Sequence, residues 1–239
     1  MDPTTVSLVT GANRGLGLEF VRQLLARGAR VVATCRQPGK ATALNGLAGE
    51  HPGRLYVLPL DVASEKSRNE LVRELPLLGE DPARPPRIEL LVNNAGVLHS
   101  GERFGSVPAA NLDDSLRTNA VGPFQLVQAL ARWLADGGKV ANISSEMGSI
   151  ASRDAFQSPS YCIGKAAQNM ATVQLARALA PRGIAVVALH PGWVRTAMGG
   201  DQARLDAEES VTGLLQVIDG LAPADSGHFV DWRGATMPW

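Results

Sequence analysis

The sequence predicts an α/β fold, a parallel sheet covered by helices on both faces, and three observations carry that prediction. Six short runs are almost continuously apolar: 6–10 (VSLVT), 30–35 (RVVATC), 54–58 (RLYVL), 88–92 (IELLV), 138–143 (GKVANI) and 184–189 (IAVVAL). Strands buried on both faces have this character. Between them, residues 16–27, 64–75, 112–134 and 160–180 have helical spacing; Leu16, Phe20, Leu24 and Leu25, for example, form one stripe. Finally, strands alternate with helices along most of the chain, which implies right-handed crossovers between parallel neighbours.

The alternation is interrupted once. Residues 76–88, PLLGEDPARPPRI, are too rich in proline for a helix and are expected to form a surface loop. Because the pattern resumes at once, residues 1–239 are expected to form a single domain. No internal repeat or low-complexity tract is present.

Composition narrows the function classes. The chain has 239 residues, 45% hydrophobic and 19% charged, with a formal net charge of zero. Such a balance gives no electrostatic footprint for nucleic acid or for an anionic membrane. The N-terminal MDPTTVSLVTGANRG has neither the basic start of a secretory signal nor the character of a transit peptide. No apolar stretch approaches the roughly 20 residues that cross a bilayer. Two cysteines, Cys35 and Cys162, cannot build a disulfide framework. His51, His99, His190 and His228 lack metal-ligand spacing, so no metal is expected. A reducing, cytoplasmic location is the simplest expectation.

The first strand-to-helix turn points to a phosphate. In VSLVTGANRGLGLEF, Gly11, Gly15 and Gly17 stand between a strand and a helix. Residues without Cβ let backbone approach a ligand closely. The start of the helix offers free N–H groups and the positive end of its dipole. At the end of the second strand, an NAD site usually carries an acid that binds the ribose 2′-hydroxyl. Here Cys35 and Arg36 occupy that place, and Arg14 lies in the glycine turn. Two guanidinium groups suit a 2′-phosphate, so NADP(H) is the expected cofactor.

Further motifs along the chain resemble the short-chain dehydrogenase/reductase family. TGANRGLG at 10–17 is similar to the family's cofactor turn, which implies contacts from Gly11, Asn13, Arg14, Gly15, Leu16 and Gly17. LDV at 60–62 resembles the adenine-contacting stretch, with Asp61 and Val62, and NNAG at 93–96 the fourth-strand motif, with Asn93, Ala95 and Gly96. HPGWVRT at 190–196 is similar to the segment touching nicotinamide, through Pro191, Gly192, Val194 and Thr196. Asn119 in RTNAVGPF, Ser145 in NISS, Tyr161 and Lys165 match the catalytic tetrad, and the last two are implied to touch the cofactor as well. The C-terminal GHFVDWRGATMPW resembles the branch named after the bacterial C-factor protein, which includes carbonyl reductases.

The resemblance implies a seven-stranded doubly wound Rossmann fold and an NADP-dependent oxidoreductase acting on a small carbonyl substrate. It also implies a homodimer or homotetramer built through the helices after Asn119 and around Tyr161. In one respect the chain departs from the family. Ser145 stands sixteen residues before Tyr161 where thirteen is usual, which leaves Ser144 as an alternative.

Four residues apart on a helix, Tyr161 and Lys165 share a face. A nearby ammonium is expected to lower the phenol's pKa toward the working pH, as proton transfer requires. Tyr161 would then give a proton to a substrate carbonyl oxygen. Ser145 would hold that oxygen, Lys165 the nicotinamide ribose, and Asn119 a water feeding the lysine. Two other functions remain open: an NADP(H)-binding signalling protein with little turnover, and alcohol oxidation by the same groups in reverse.

The remaining candidates are less specific. Cys162 is expected to pack as a small hydrophobe. Asp61 and Thr196 are also suited to helix capping. Met147, Phe156, Trp193 and Met198 belong either to an apolar substrate pocket or to the core. The loops 97–111, 146–160 and 193–208 are the expected specificity loops.

Overall fold

The alternating runs order the chain as expected, and most of their edges move by a residue or so. The computed structural model describes residues 5–79 and 85–239. Seven strands form one parallel sheet: β1 (Thr5–Thr10), β2 (Val31–Cys35), β3 (Leu55–Pro59), β4 (Arg87–Asn93), β5 (Leu134–Ile143), β6 (Ala185–His190) and β7 (Phe229–Asp231). Their order is β3-β2-β1-β4-β5-β6-β7, the doubly wound Rossmann topology.

The order reverses between β1 and β4. Chains leaving these two strands turn to opposite faces and open a crevice at their carboxyl ends, where such sheets bind ligands. The helices are α1 (Gly15–Ala26), α2 (Thr42–Glu50), α3 (Glu65–Glu74), α4 (Ala109–Leu116), α5 (Gly122–Leu130), α6 (Pro159–Leu179) and α7 (Ala207–Gly220). Period-two alternation divides the strands between two cores. Val9, Val31 and Val92 face Phe20 and Leu24 of α1 and Leu214 of α7. Leu8, Val32 and Leu91 face Leu71 of α3, Leu126 of α5 and Leu175 of α6.

Several expectations need correction. The helix expected over 112–134 is three pieces: α4, a π turn at Arg117–Val121, and α5. Residues 131–133 form a turn and the last, Leu134, opens β5, which starts there rather than at 138. The β4–β5 register slips between Ile88 and Leu90, where Gly137 takes φ +73°. In the expected loop 76–88, residues 75–78 form a 3-10 turn and β4 begins at Arg87, while residues 80–84 lie outside the described part. Helices α2 and α7 and strand β7 are additional to the strands and helices read from the periodicity.

Candidate active site

The sheet's crevice is walled by two backbone turns in close contact. Gly11 and Gly15 take φ +63° and +54°, which a residue with Cβ rarely adopts. A Cβ on Gly11 would come within 2.9 Å of Ala95 Cα, and one on Gly17 would strike the Gly11 carbonyl oxygen. Asn94, quoted in the NNAG motif but given no role, proves to be the clamp. Its amide nitrogen donates to the Thr10 and Gly11 carbonyls at 2.9 and 3.1 Å. The Thr10 hydroxyl accepts in turn from the Asn94 and Ala95 N–H groups, both at 3.0 Å.

Helix α1 begins at this turn without a side-chain cap and with no acid in its first turn. Its leading N–H groups, around Gly15, Leu16 and the buried Gly17, are therefore available to an anion. Asn13 and Arg14 are exposed beside them, and Arg36 is exposed just beyond β2. Among the described residues neither guanidinium has a hydrogen-bond or ion-pair partner. The turn reaches β2 through the Ala12 N–H, which donates to Thr34 O at 2.9 Å. Uncapped amides, absent Cβ atoms and two unpaired cations together fit a phosphorylated dinucleotide.

The other expected contacts vary in placement. Asp61 does not cap α3. It accepts from Ala63 N at 3.0 Å, and Ser64 caps the helix by accepting from Ser67 N at 3.3 Å. Val62 is buried, and its carbonyl holds the Arg68 guanidinium, which also reaches Gln125. Asn93 points into the core, donating to Asn142 Oδ1 at 2.8 Å, so its side chain is not at the crevice. Gly192 takes φ +83° against Leu205 and Trp232, and the Pro191 carbonyl accepts from the Ser210 hydroxyl at 2.6 Å. Val194 is buried and bridges to Leu205. Thr196 caps a turn rather than a helix, accepting from Gly199 N at 3.1 Å. A Cβ on Gly15 would touch the Thr196 methyl at 3.4 Å, so this segment closes over the glycine turn.

Asn119, Ser145, Tyr161 and Lys165, the four residues expected to form a tetrad, come together beside this crevice. Beyond β5, consecutive side chains point in different directions. Ser144 is buried and donates to Asn169 Oδ1 at 2.6 Å. Ser145 is half-buried, accepts from Met147 N at 3.1 Å and hydrogen-bonds the Tyr161 phenol. Below the tyrosine, the Lys165 amine lies 5.6 Å from its ring centroid and donates to Ile143 O at 2.7 Å and Gln168 Oε1 at 2.9 Å. Gln168, a partner that its sequence position did not reveal, is itself fully buried. Asn119 sits in the π turn, a distortion that recurs at functional positions. Both ends of its amide are engaged with Val97, accepting from its N–H at 2.8 Å and donating to its carbonyl at 2.9 Å.

The electrostatics differ from the simple expectation. Burial pushes the Tyr161 phenol up to about 12; the Ser145 hydrogen bond pulls it down, and Cys162 adds to the rise. The lysine expected to lower it does not, because its amine is turned toward Ile143 O and Gln168. Burial lowers Lys165 itself to about 7. Loss of hydration therefore dominates both groups, holding the phenol protonated and the amine near its midpoint at neutral pH. His190 is likewise lowered by burial, against the pull of Glu146 and Asp231.

Phe156, Trp193 and Met198 are exposed, so they are not core residues; Met147 is half-buried. Phe104, from the segment after β4, is 88% exposed and meets Phe156 edge to face with centroids 5.7 Å apart. Cys162 is partly buried and its thiol donates to Gln157 O at 3.2 Å.

Residues 5–206 match the short chain dehydrogenase family. The chain is 42% identical to the C-signal of Myxococcus xanthus over 154 residues, 64% of this chain and 93% of that protein. Its fold is similar to the carbonyl reductase Sniffer of D. melanogaster, with TM-score 0.91, 32% identity, and coverage of 98% and 99% of the two chains. It is also similar to an NADPH-bound carbonyl reductase from chicken fatty liver, with TM-score 0.89, 37% identity and 98% of each chain covered. With the crevice, the glycine turn and the match over most of its length, the chain belongs to the short-chain dehydrogenase family of oxidoreductases.

Proposed function

We propose that the protein reduces the carbonyl group of a small molecule to an alcohol with NADPH. The observation that carries this reading is the Ser145 side chain set against the Tyr161 phenol, with the Lys165 amine beneath it, next to the uncapped glycine turn. The cofactor, when bound, supplies the hydride. Tyr161 Oη gives its proton to the substrate oxygen, and a phenol held at about 12 stays protonated until that oxygen becomes basic. Ser145 Oγ hydrogen-bonds the same oxygen and keeps the carbonyl in line. Lys165 would replenish the proton and would hold the nicotinamide ribose. Asn119 fixes Val97 beside the Gly96 backbone, where a Cβ would lie 3.8 Å from Lys165 Nζ.

The test is NADPH oxidation on addition of aldehydes, ketones and quinones. Turnover supports the reading, and NADPH binding without turnover overturns it. The similarity to C-signal favours a second reading, a signalling protein that binds the nucleotide without using it. The same assay separates the two.

NADPH is preferred because Arg14 and Arg36 are free to take the 2′-phosphate. Arg36→Asp is expected to weaken NADPH about 100-fold while leaving NADH little changed, since a charge-assisted hydrogen bond contributes roughly 1.5–3 kcal/mol. The ratio of kcat/KM for the two cofactors measures this, and an unchanged ratio places the 2′-phosphate elsewhere.

Lys165 gives a pH dependence. A base lowered to about 7 is charged below that pH and neutral above it. The kcat/KM for reduction, which reports the free enzyme, is therefore expected to fall as pH rises through about 7. A flat profile from pH 6 to 9 removes the ammonium from the reaction.

Self-association through the helix after Asn119 and the helix around Tyr161 is supported by the exposed Val121, in the π turn that leads into α5, and by Ile163 and Met170 on α6. Free Cys35 and Cys162 suit a reducing cytoplasm.

A further inference from the structure

Helix α6 carries both Tyr161 and Lys165, yet it starts badly. Its N-cap residue, Ser158, makes no side-chain capping bond, and no acid lies in the first turn. Ser158 is also the lone non-glycine with positive φ among the described residues, at +43°. Such a conformation persists only where the surroundings hold it. An uncapped first turn frays, and Tyr161 is the third residue of this one.

The missing cap comes from another segment. Glu102, in the stretch after β4, accepts from the Ser160 N–H at 3.1 Å through Oε2. Its other oxygen accepts from Asn111 Nδ2 of α4 at 3.0 Å. The carboxylate therefore joins the start of α4 to the start of α6, at the residue just before the tyrosine. A negative group there also meets the positive end of the helix dipole. Burial pulls the Glu102 carboxyl up, but hydrogen bonds from Ser160 and Asn111 outweigh this and hold it below the usual carboxylate value.

We propose that Glu102 is a positioning residue for Tyr161: it caps α6 from outside the helix and so fixes the backbone turn that aims the phenol at the substrate oxygen. The same strap sets the rim of the site. Two residues on, Phe104 rests on Phe156, two residues before the strained Ser158. Loss of the cap loosens the proton donor and the aromatic rim together.

The inference rests on the reductase reading, and two measurements keep the two apart. Hydrogen exchange of amides 160–164 is independent of turnover. Glu102→Ala is expected to speed their exchange about tenfold or more, as a frayed turn does. In the reduction assay, Glu102→Ala is expected to lower kcat about tenfold with KM for NADPH unchanged, since small misplacements of reacting groups are costly. Glu102→Gln keeps the reach and one acceptor for Ser160 N–H and is expected to stay within about twofold of wild type; Glu102→Asp keeps the charge but is a methylene too short, and behaves like Glu102→Ala. Those two variants carry the test if Glu102→Ala does not fold. Unchanged exchange in Glu102→Ala, or Asp near wild type with Gln defective, overturns the capping role. Unchanged kcat with faster exchange shows a purely structural cap and overturns the positioning role. Should the wild type reduce no carbonyl, the reductase reading fails, and with it the aim of the phenol, while exchange still decides the cap.

Discussion

Tyr161→Phe is expected to lower kcat for carbonyl reduction about 1,000-fold, because removing a positioned general acid costs roughly 100- to 10,000-fold. The substitution deletes one oxygen and keeps the ring, which is packed in the protein interior. Ser145 keeps its bond from Met147 N, so no buried partner is stranded. NADPH affinity and melting temperature should therefore stay close to wild type, and the loss should fall on kcat. Steady-state kinetics on the folded variant, beside a binding titration, measure this. Equal turnover by wild type and variant would show that the proton comes from another group. A loss confined to KM would make the hydroxyl a substrate handle rather than a donor.

The second large effect belongs to the glycine turn. In Gly17→Ala the new methyl would land on the Gly11 carbonyl oxygen and 2.5 Å from Asn94 Nδ2. Neither can yield cheaply. One is backbone, and the other already donates to Thr10 O and Gly11 O. The turn must open, at a cost of about 1–3 kcal/mol by the usual range for overpacking. The N–H groups at the start of α1 move with it. NADPH binding is expected to weaken about 100-fold or more, the effect of losing two or more charge-assisted hydrogen bonds. Gly46→Ala is the control. It lies within α2 with nothing within 4 Å of a new Cβ, and should stabilise by roughly 0.5–1 kcal/mol. Denaturation and fluorescence titration of both variants decide the matter; wild-type affinity in Gly17→Ala would mean that the nucleotide does not use this turn.

Much of this was legible in the chain, for reasons that particular residues make clear. The strands were readable because burial on both faces makes Val6–Val9, Leu90–Val92 and Ala185–Leu189 nearly pure apolar runs. Helix α2 was not, because only Leu44 of its nine residues is buried and Gly46 and Gly49 weaken its pattern. Helix α7 did carry a signal: Asp206 caps it by accepting from Glu209 N at 2.8 Å, ahead of an apolar stripe. Assigning 193–208 to a specificity loop hid that start. Strand β7 has three residues, too few for any period to register.

At the site, residue types spoke for themselves but partnerships did not. The glycines and the Tyr161–Lys165 pair stood out by local spacing. The choice between Ser144 and Ser145 depends on which side of the chain each faces beyond β5. Asn94, Glu102 and Gln168 act through contacts with Thr10, Ser160 and Lys165. Of these only the last, three residues away, is local, and an i, i+3 glutamine is common on any helix.

One buried chain of hydrogen bonds has a mechanical consequence. Asn93 on β4 donates to Asn142 on β5, Asn142 donates to Thr172 on α6 at 2.9 Å, and Thr172 donates to the Gln168 carbonyl. Sliding that helix by a single residue would strand polar groups in oil-like surroundings, a penalty that apolar packing alone would not impose. Tyr161, carried on that helix, is thereby keyed to the sheet like a tooth in a lock. Injuries to the core should consequently appear as melting at lower temperature, with the surviving native molecules still working at full speed.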